Sequence, residues 1–308
     1  MKILKQFIKI IFTIFLFYLI FRKVPLNSIK ENFLYANKIY LFLAFIFFFL
    51  YYLFFAIRWA YLLNGAGIKI NFIKAFIYII ISFFFNNVLP SAVGQDFVRS
   101  AFASKKDFTK TLGVSLMDRF LGFLGMLIIG ITAFLSHYKN LKIISIFYLF
   151  LFLFLLFLYL IFTNKNIGRG LKDFILRIKF LNLGEELRKF YLALVSFKEK
   201  KRMFLFGIIL SIIIQFTITI INYIISKSIN IELSFFNLLV ILPAITVLSL
   251  IPITLNGLGL REFAYIYFFN IININSEKAL SLSLMFFIIS VIASLIGGIL
   301  FLFFKGEK

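Results

Sequence analysis

Six ionisable side chains lie in or beside long apolar runs of this sequence: Asp96, Arg99, Asp118, Arg119, Arg261 and Glu262. Each would cost about 2.5–3.5 kcal/mol at the centre of a lone helix in a bilayer. Such residues must face protein or water, which makes them functional candidates. Arg99, Arg119 and Arg261 suit an anionic headgroup, because the planar guanidinium presents a fork of donors that matches phosphate. Asp96, Asp118 and Glu262 would then hold those arginines or carry protons. The competing chemistry is mutual ion pairing that locks helices together. Asp96 and Arg99, three apart on one helix face, can pair in that way.

Two breaks accompany these charges. One holds Pro90 and Gly94, the other Pro252, Gly257 and Gly259. A half-helix starting near Asp96 or Leu260 would aim unpaired N–H groups and the positive end of its dipole into a cavity, where a phosphate fits. Ordinary helix punctuation is the alternative. Asn86, Asn87 and Asn256 flank the breaks and can bond freed carbonyls or ligand oxygens.

Composition narrows the chemistry. The chain has 308 residues, 63% of them hydrophobic and 47 of them Phe. Its mean hydropathy is +1.05, more apolar surface than a soluble domain of this length can hide. There is no Cys, which removes disulfides, Fe–S clusters and thiol nucleophiles. The single His, His137, leaves nothing for a His-based metal site or a catalytic triad, and it falls in an expected outer loop. No metal or cofactor is expected. The net charge of +21 reads as Lys and Arg gathered beside anionic headgroups, and nucleic-acid binding is set aside.

The elements that must position these residues are apolar runs of about 20 residues. They fall at 3–21, 39–63, 72–89, 112–135, 141–162, 203–225, 233–254 and 279–304. The N-terminal run follows Lys2, Lys5 and Lys9 and precedes Arg22-Lys23, with no small-residue cleavage site, so it reads as an uncleaved first span. Residues 163–202 are rich in Lys and Arg with apolar residues at helical spacing, which predicts an amphipathic cytoplasmic linker lying on the membrane surface. Fixing that linker inside orients the rest, puts both termini in the cytoplasm of an inner (plasma) membrane, and leaves most Lys and Arg inside. Arg58-Trp59, near the inner end of 39–63, reads as an interface anchor, and Gly122, Gly125, Gly130, Gly297 and Gly298 as close-packing positions.

The segments 72–106 and 233–270 must each begin and end on one side, yet each has one full apolar run. Two re-entrant hairpins satisfy this, since irregular backbone is tolerated at membrane depth where protein or a wet cavity covers it. A fully spanning 72–89 is the competitor. The expected fold is therefore an all-α polytopic membrane protein, a single integral membrane domain over 1–308 with about six full spans plus two re-entrant helical hairpins. Its N-terminal half is 1–162, with hairpin 72–106, and its C-terminal half 203–308, with hairpin 233–270. Leu89-Pro90 through Arg99 and Ile251-Pro252 through Arg261 each place Arg nine positions after Pro, in opposite derived orientations. This predicts an inverted-topology repeat, an arrangement familiar in transporters.

The order of motifs is Arg58-Trp59-x-x-Leu62-Leu63, Asn87-x-Leu89-Pro90-x-x-x-Gly94-Gln95-Asp96-x-x-Arg99, Asp118-Arg119 and Pro252-x-x-x-Asn256-Gly257-x-Gly259-x-Arg261-Glu262. This resembles the membrane domain of lysylphosphatidylglycerol synthases and the stand-alone flippase-like proteins built from it. The family pattern has Gly-Gly-Asp where this chain has Gly94-Gln95-Asp96. The resemblance implies a flippase-like protein that binds and translocates an anionic phospholipid or a polyprenyl-linked lipid, with lipid lysylation by this chain alone not expected. Two alternatives stand beside it: a membrane-embedded lipid-modifying or glycosyl-transfer enzyme, and an accessory subunit recruiting a separate lipid-modifying enzyme. The oligomeric state is not legible.

Overall fold

The structure, a computed structural model, describes residues 2–88, 94–137, 148–149, 152–153, 201–251, 253–254 and 256–304. Most of the expected span 141–162, nearly all of the linker 163–202, and Pro90 and Pro252 of the two breaks lie outside the described residues. Among the described residues there are ten α-helices and no strand. They are α1 Lys2–Lys23, α2 Leu26–Leu34, α3 Lys38–Gly65, α4 Phe72–Val88, α5 Gly94–Ala103, α6 Phe108–His137, α7 Lys201–Ser228, α8 Phe235–Ser249, α9 Leu260–Ile271 and α10 Ser276–Phe303.

Four of them, α3, α6, α7 and α10, are long and apolar enough to cross a membrane. A helix of 28 residues, such as α3, α7 or α10, is about 42 Å long and exceeds the roughly 30 Å hydrocarbon core. The bent pair α1–α2 makes a fifth candidate. The chain turns by 86° between them. Pro25 at the start of α2, with φ −63°, disfavours helical geometry in the residue before it. Arg22 and Lys23 in the last turn of α1 meet the negative end of its dipole. The sequence reading has no helix where α2 stands. The 17 residues of α4 and 15 of α8 reach only about 25 and 22 Å, less than the bilayer core. His137, expected in an outer loop, is the last residue of α6.

The described chain divides into two compact units, each discontinuous in sequence. The first comprises 1–53, 80–95 and 216–304. Here α9 packs on α8, α10 and α1, and α2 packs on α10. Ile20, Val24 and Ile29 close over Leu280, and Asn32 Nδ2 donates to Ser281 Oγ at 3.0 Å. The second unit comprises 54–79, 96–215 and 305–308. It takes in the end of α3, the start of α4, nearly all of α5, α6 and the start of α7.

The helix α10 shows how a bilayer inverts the usual pattern. Ile288, Ile292, Leu295, Ile299 and Leu302 recur at spacings of three and four and are exposed. The buried residues are larger in the first half, with Leu280, Leu282, Met285 and Ile289, and small in the second, with Ala293, Ser294 and Gly297. Lipid tails are as apolar as these side chains, so close backbone approach, not apolar burial, holds helices together. At Gly297 a Cβ would meet the Ile80 carbonyl oxygen of α4, a backbone atom that has no room to give. Gly297→Ala is therefore expected to destabilise the protein by about 1–3 kcal/mol through overpacking, and Ile296→Ala on the outer face to cost far less. Thermal unfolding of both variants in one detergent checks this.

Candidate functional site

Five charged side chains of the second unit form one connected chain. Asp118, on α6, accepts from Arg58 Nε at 2.5 Å and from Arg99 Nη1 at 3.0 Å. Arg99 Nη2 donates to Asp96 Oδ1 at 2.7 Å, and Arg119 Nη2 donates to Asp96 Oδ2 at 2.6 Å. The order is Arg58–Asp118–Arg99–Asp96–Arg119. The side chains of Arg58, Arg99 and Asp118 are 1–2% exposed, whereas that of Arg119 is 27% exposed. Polar neighbours complete the inner end. Arg58 Nη1 reaches Ser211 Oγ at 2.7 Å, and Arg99 Nη2 also reaches the Ser115 carbonyl at 3.2 Å. Trp59 packs its ring 5.3 Å from the Arg99 guanidinium and donates its Nε1 to Ser115 Oγ.

Helix geometry makes this possible. Asp96 and Arg99 sit one turn apart in α5, as their spacing predicts, and both are buried. Asp118 and Arg119 are adjacent on α6, and each meets a different carboxylate or guanidinium of the chain. Among the four sequence candidates here, the structure joins all into one network. It adds Arg58, which the sequence reading takes as an interface anchor. Arg58 and Trp59 are instead fully buried, and Arg58 pairs with Asp118 Oδ1, the carboxylate oxygen that Arg99 leaves. The signal was present, since Arg58 lies inside the apolar run 39–63 and an intramembrane charge needs a partner.

The other candidates lie in the first unit, around a cavity of about 180 Å³. Its polar lining is Arg261, Asn86, Asn87, Asn256 and Ser290, and its walls are aromatic, with Tyr51, Tyr52, Phe83 and Phe287 among them. The second break reaches the end of α4 here. Asn256 Nδ2 donates to the Asn86 carbonyl at 2.6 Å, a carbonyl of the last helical turn that lacks an intrahelical partner. Asn87 Nδ2 donates to Ser294 Oγ at 2.9 Å. The turn into α9 runs through Asn256 (φ 48°), Gly257 (φ 77°) and Gly259 (φ 82°). A Cβ at Gly257 would stand 2.6 Å from the Ser249 carbonyl oxygen, so glycine is required there on two counts.

Glu262 organises this turn. Fully buried, it accepts from the Gly259 amide at 2.6 Å, from Arg261 Nε at 2.9 Å and from Ser283 Oγ at 3.3 Å. The Arg261 amide bonds the Gly257 carbonyl at 2.8 Å. Both of these amides are therefore satisfied within the turn. The carboxylate of Glu262 in the first turn already meets the helix dipole. Arg261 keeps its side chain 15% exposed, with its guanidinium carbon 4.6 Å from the centre of the Phe287 ring. Gly94, expected at a hinge, is the first residue of α5, and Gln95 follows it in the helix.

The family model for the lysylphosphatidylglycerol synthase TM region matches residues 6–298. The chain belongs to that family. No curated protein and no solved structure gives a significant match. The family assignment and the apolar helices together make this a membrane-embedded, multi-pass helical protein of lipid-related function. Within this family member, the motif residues divide between a closed ionic network and an open polar cavity. Asp96, Arg99, Asp118 and Arg119 belong to the network, and Asn87, Asn256, Gly257, Gly259, Arg261 and Glu262 belong to the cavity or the turn that builds it. Ser290 and the aromatic walls carry no sequence signal of their own, being ordinary residues of apolar helices.

Removing one member of a buried ion pair leaves its partner's charge uncompensated, at a cost of about 3–5 kcal/mol. Asp118→Asn, which strands both Arg58 and Arg99, is expected to lower thermal stability by that order. Arg119→Gln, at the exposed end, is expected to lower it much less. Unfolding midpoints of the two purified variants in matched detergent decide the point.

Proposed function

We propose that the chain is a flippase-like protein of the inner membrane. It binds the headgroup of an anionic phospholipid or other lipid-linked anion and carries it between leaflets. Both termini are cytoplasmic in this reading, and α4–α5 and α8–α9 act as re-entrant hairpins related by an inverted repeat. The observation that carries the proposal is the cavity in which Arg261 stands beside the end of α4 and the second break. Helices of 17 and 15 residues stop short of a bilayer's full thickness of about 30 Å, so their ends place polar backbone at membrane depth. Backbone there is tolerated only where protein or water covers it, and a wet cavity with one guanidinium gives a phosphate a reason to enter.

The chemistry asked of the protein is binding and release, with no bond made or broken. Arg261 is held from one side by Glu262, which keeps the guanidinium aimed while its remaining nitrogen, Nη1, is left for a ligand. A hydrogen bond to a charged group is worth about 1.5–3 kcal/mol, or roughly ten- to hundredfold in affinity. In proteoliposomes carrying fluorescent phosphatidylglycerol, with the label on either leaflet read by quencher access, Arg261→Ala is expected to slow lipid movement by that factor. Wild-type rates in a correctly folded Arg261→Ala protein would sink the assignment.

A further inference from the structure

Among the described residues, the cavity is lined by one cation and no acid. Among its lining residues Arg261 is the only ionisable group apart from the Tyr51 and Tyr52 phenols, and the remaining polar groups are the amides Asn86, Asn87 and Asn256 and the Ser290 hydroxyl. The nearest carboxylate in sequence, Glu262, does not line it. That side chain is fully buried and spends its oxygens on the Gly259 amide, the Arg261 guanidinium and Ser283.

We infer that this cavity selects a phospholipid whose headgroup is a phosphate diester bearing a neutral hydroxylated group, phosphatidylglycerol being the simplest, and rejects the lysylated lipid in the family's name. The inference rests on the lipid-carrying reading above and narrows it. The phosphate charge meets Arg261. Neutral amides and a hydroxyl, which both donate and accept, match alcohol groups. A lysyl ester adds two ammonium charges beside Arg261, and no carboxylate among the described lining residues compensates them, so their desolvation is costly. Size acts in the same direction. At about 180 Å³ the cavity falls below the roughly 300–1,000 Å³ of sites for drug-sized ligands. A glycerophosphate group fits such a volume with the acyl chains outside it, whereas the lysyl ester makes the headgroup far longer.

Ser290 offers a way to reverse the choice. Its hydroxyl bonds only the Phe287 carbonyl of its own helix, so replacing it breaks no contact between elements. Ser290→Asp puts a carboxylate into the lining of the cavity that holds Arg261.

The experiment is native mass spectrometry of the purified full chain, exchanged with equimolar phosphatidylglycerol and lysylphosphatidylglycerol of identical acyl chains, with free glycerol phosphate as a third competitor. The wild type is expected to retain phosphatidylglycerol at least about tenfold over the lysyl lipid. Ser290→Asp is expected to lose or invert that ratio. Free glycerol phosphate is expected to displace neither lipid at the same concentration. Equal or tighter retention of the lysyl lipid by the wild type overturns the selectivity alone. Displacement by free glycerol phosphate makes the occupant a soluble anion and overturns the lipid assignment. Retention of no phospholipid at all removes the functional reading, and this inference with it. Should Ser290→Asp fail to fold, the wild-type ratio still decides.

Discussion

A charge inside hydrocarbon must be paired, and much of this molecule follows from how its charges meet that requirement. In the second unit three arginines and two aspartates solve it by alternation. Each carboxylate lies between two guanidiniums, so that Asp118 joins Arg58 to Arg99 and Asp96 joins Arg99 to Arg119. The arrangement ties the end of α3 to α5, α6 and α7 through side chains that are themselves buried. A short polar helix such as α5 has little apolar surface with which to hold its place. Its two charges, Asp96 and Arg99, hold it instead.

The same requirement is met differently in the first unit. Arg261 and Glu262 are neighbours in sequence and neutralise each other, but Glu262 also satisfies the Gly259 amide and so shapes the turn. Backbone polar groups face the same constraint as charges, because water is not there to satisfy them. Gly257 and Gly259, with positive φ, and Asn256, which bonds the Asn86 carbonyl, resolve it at the second break. Arg261 retains a degree of exposure that Arg99 and Arg58 lack. That difference, rather than residue type, separates an arginine that holds helices from one that can meet a ligand.

Packing around these polar features follows membrane logic. An apolar stripe of α10 faces outward, and the small buried residues Ala293, Ser294 and Gly297 of its second half allow α10 and α4 to touch at the Gly297–Ile80 contact. Aromatic side chains line the remaining space, and the cavity is what is left where Asn and Ser replace them beside Arg261. Its small volume and single charge sign are consequences of this packing.

Much was legible in the residues alone. Runs of apolar residues marked α3, α6, α7 and α10 because hydropathy is a local property, read over a window no longer than the helix itself. The i,i+3 spacing of Asp96 and Arg99 announced their pair, since helix periodicity alone sets that distance. The motif order carried the family. The helix α2 escaped because nine residues of mixed character give a weak periodic signal, and its place is set by packing on α10. Arg58 was misread because its partner Asp118 is 60 positions away, and no local pattern encodes a contact of that span. The Gly259 amide at the start of α9 is taken by Glu262, a fold-back of the side chain that the linear order does not display. Sequence determined that this is a membrane protein with charges too costly to be idle. Only the tertiary structure decided which charges are consumed by one another and which one faces a cavity, because pairing is a matter of distance between helices, and distance between helices is absent from a linear chain.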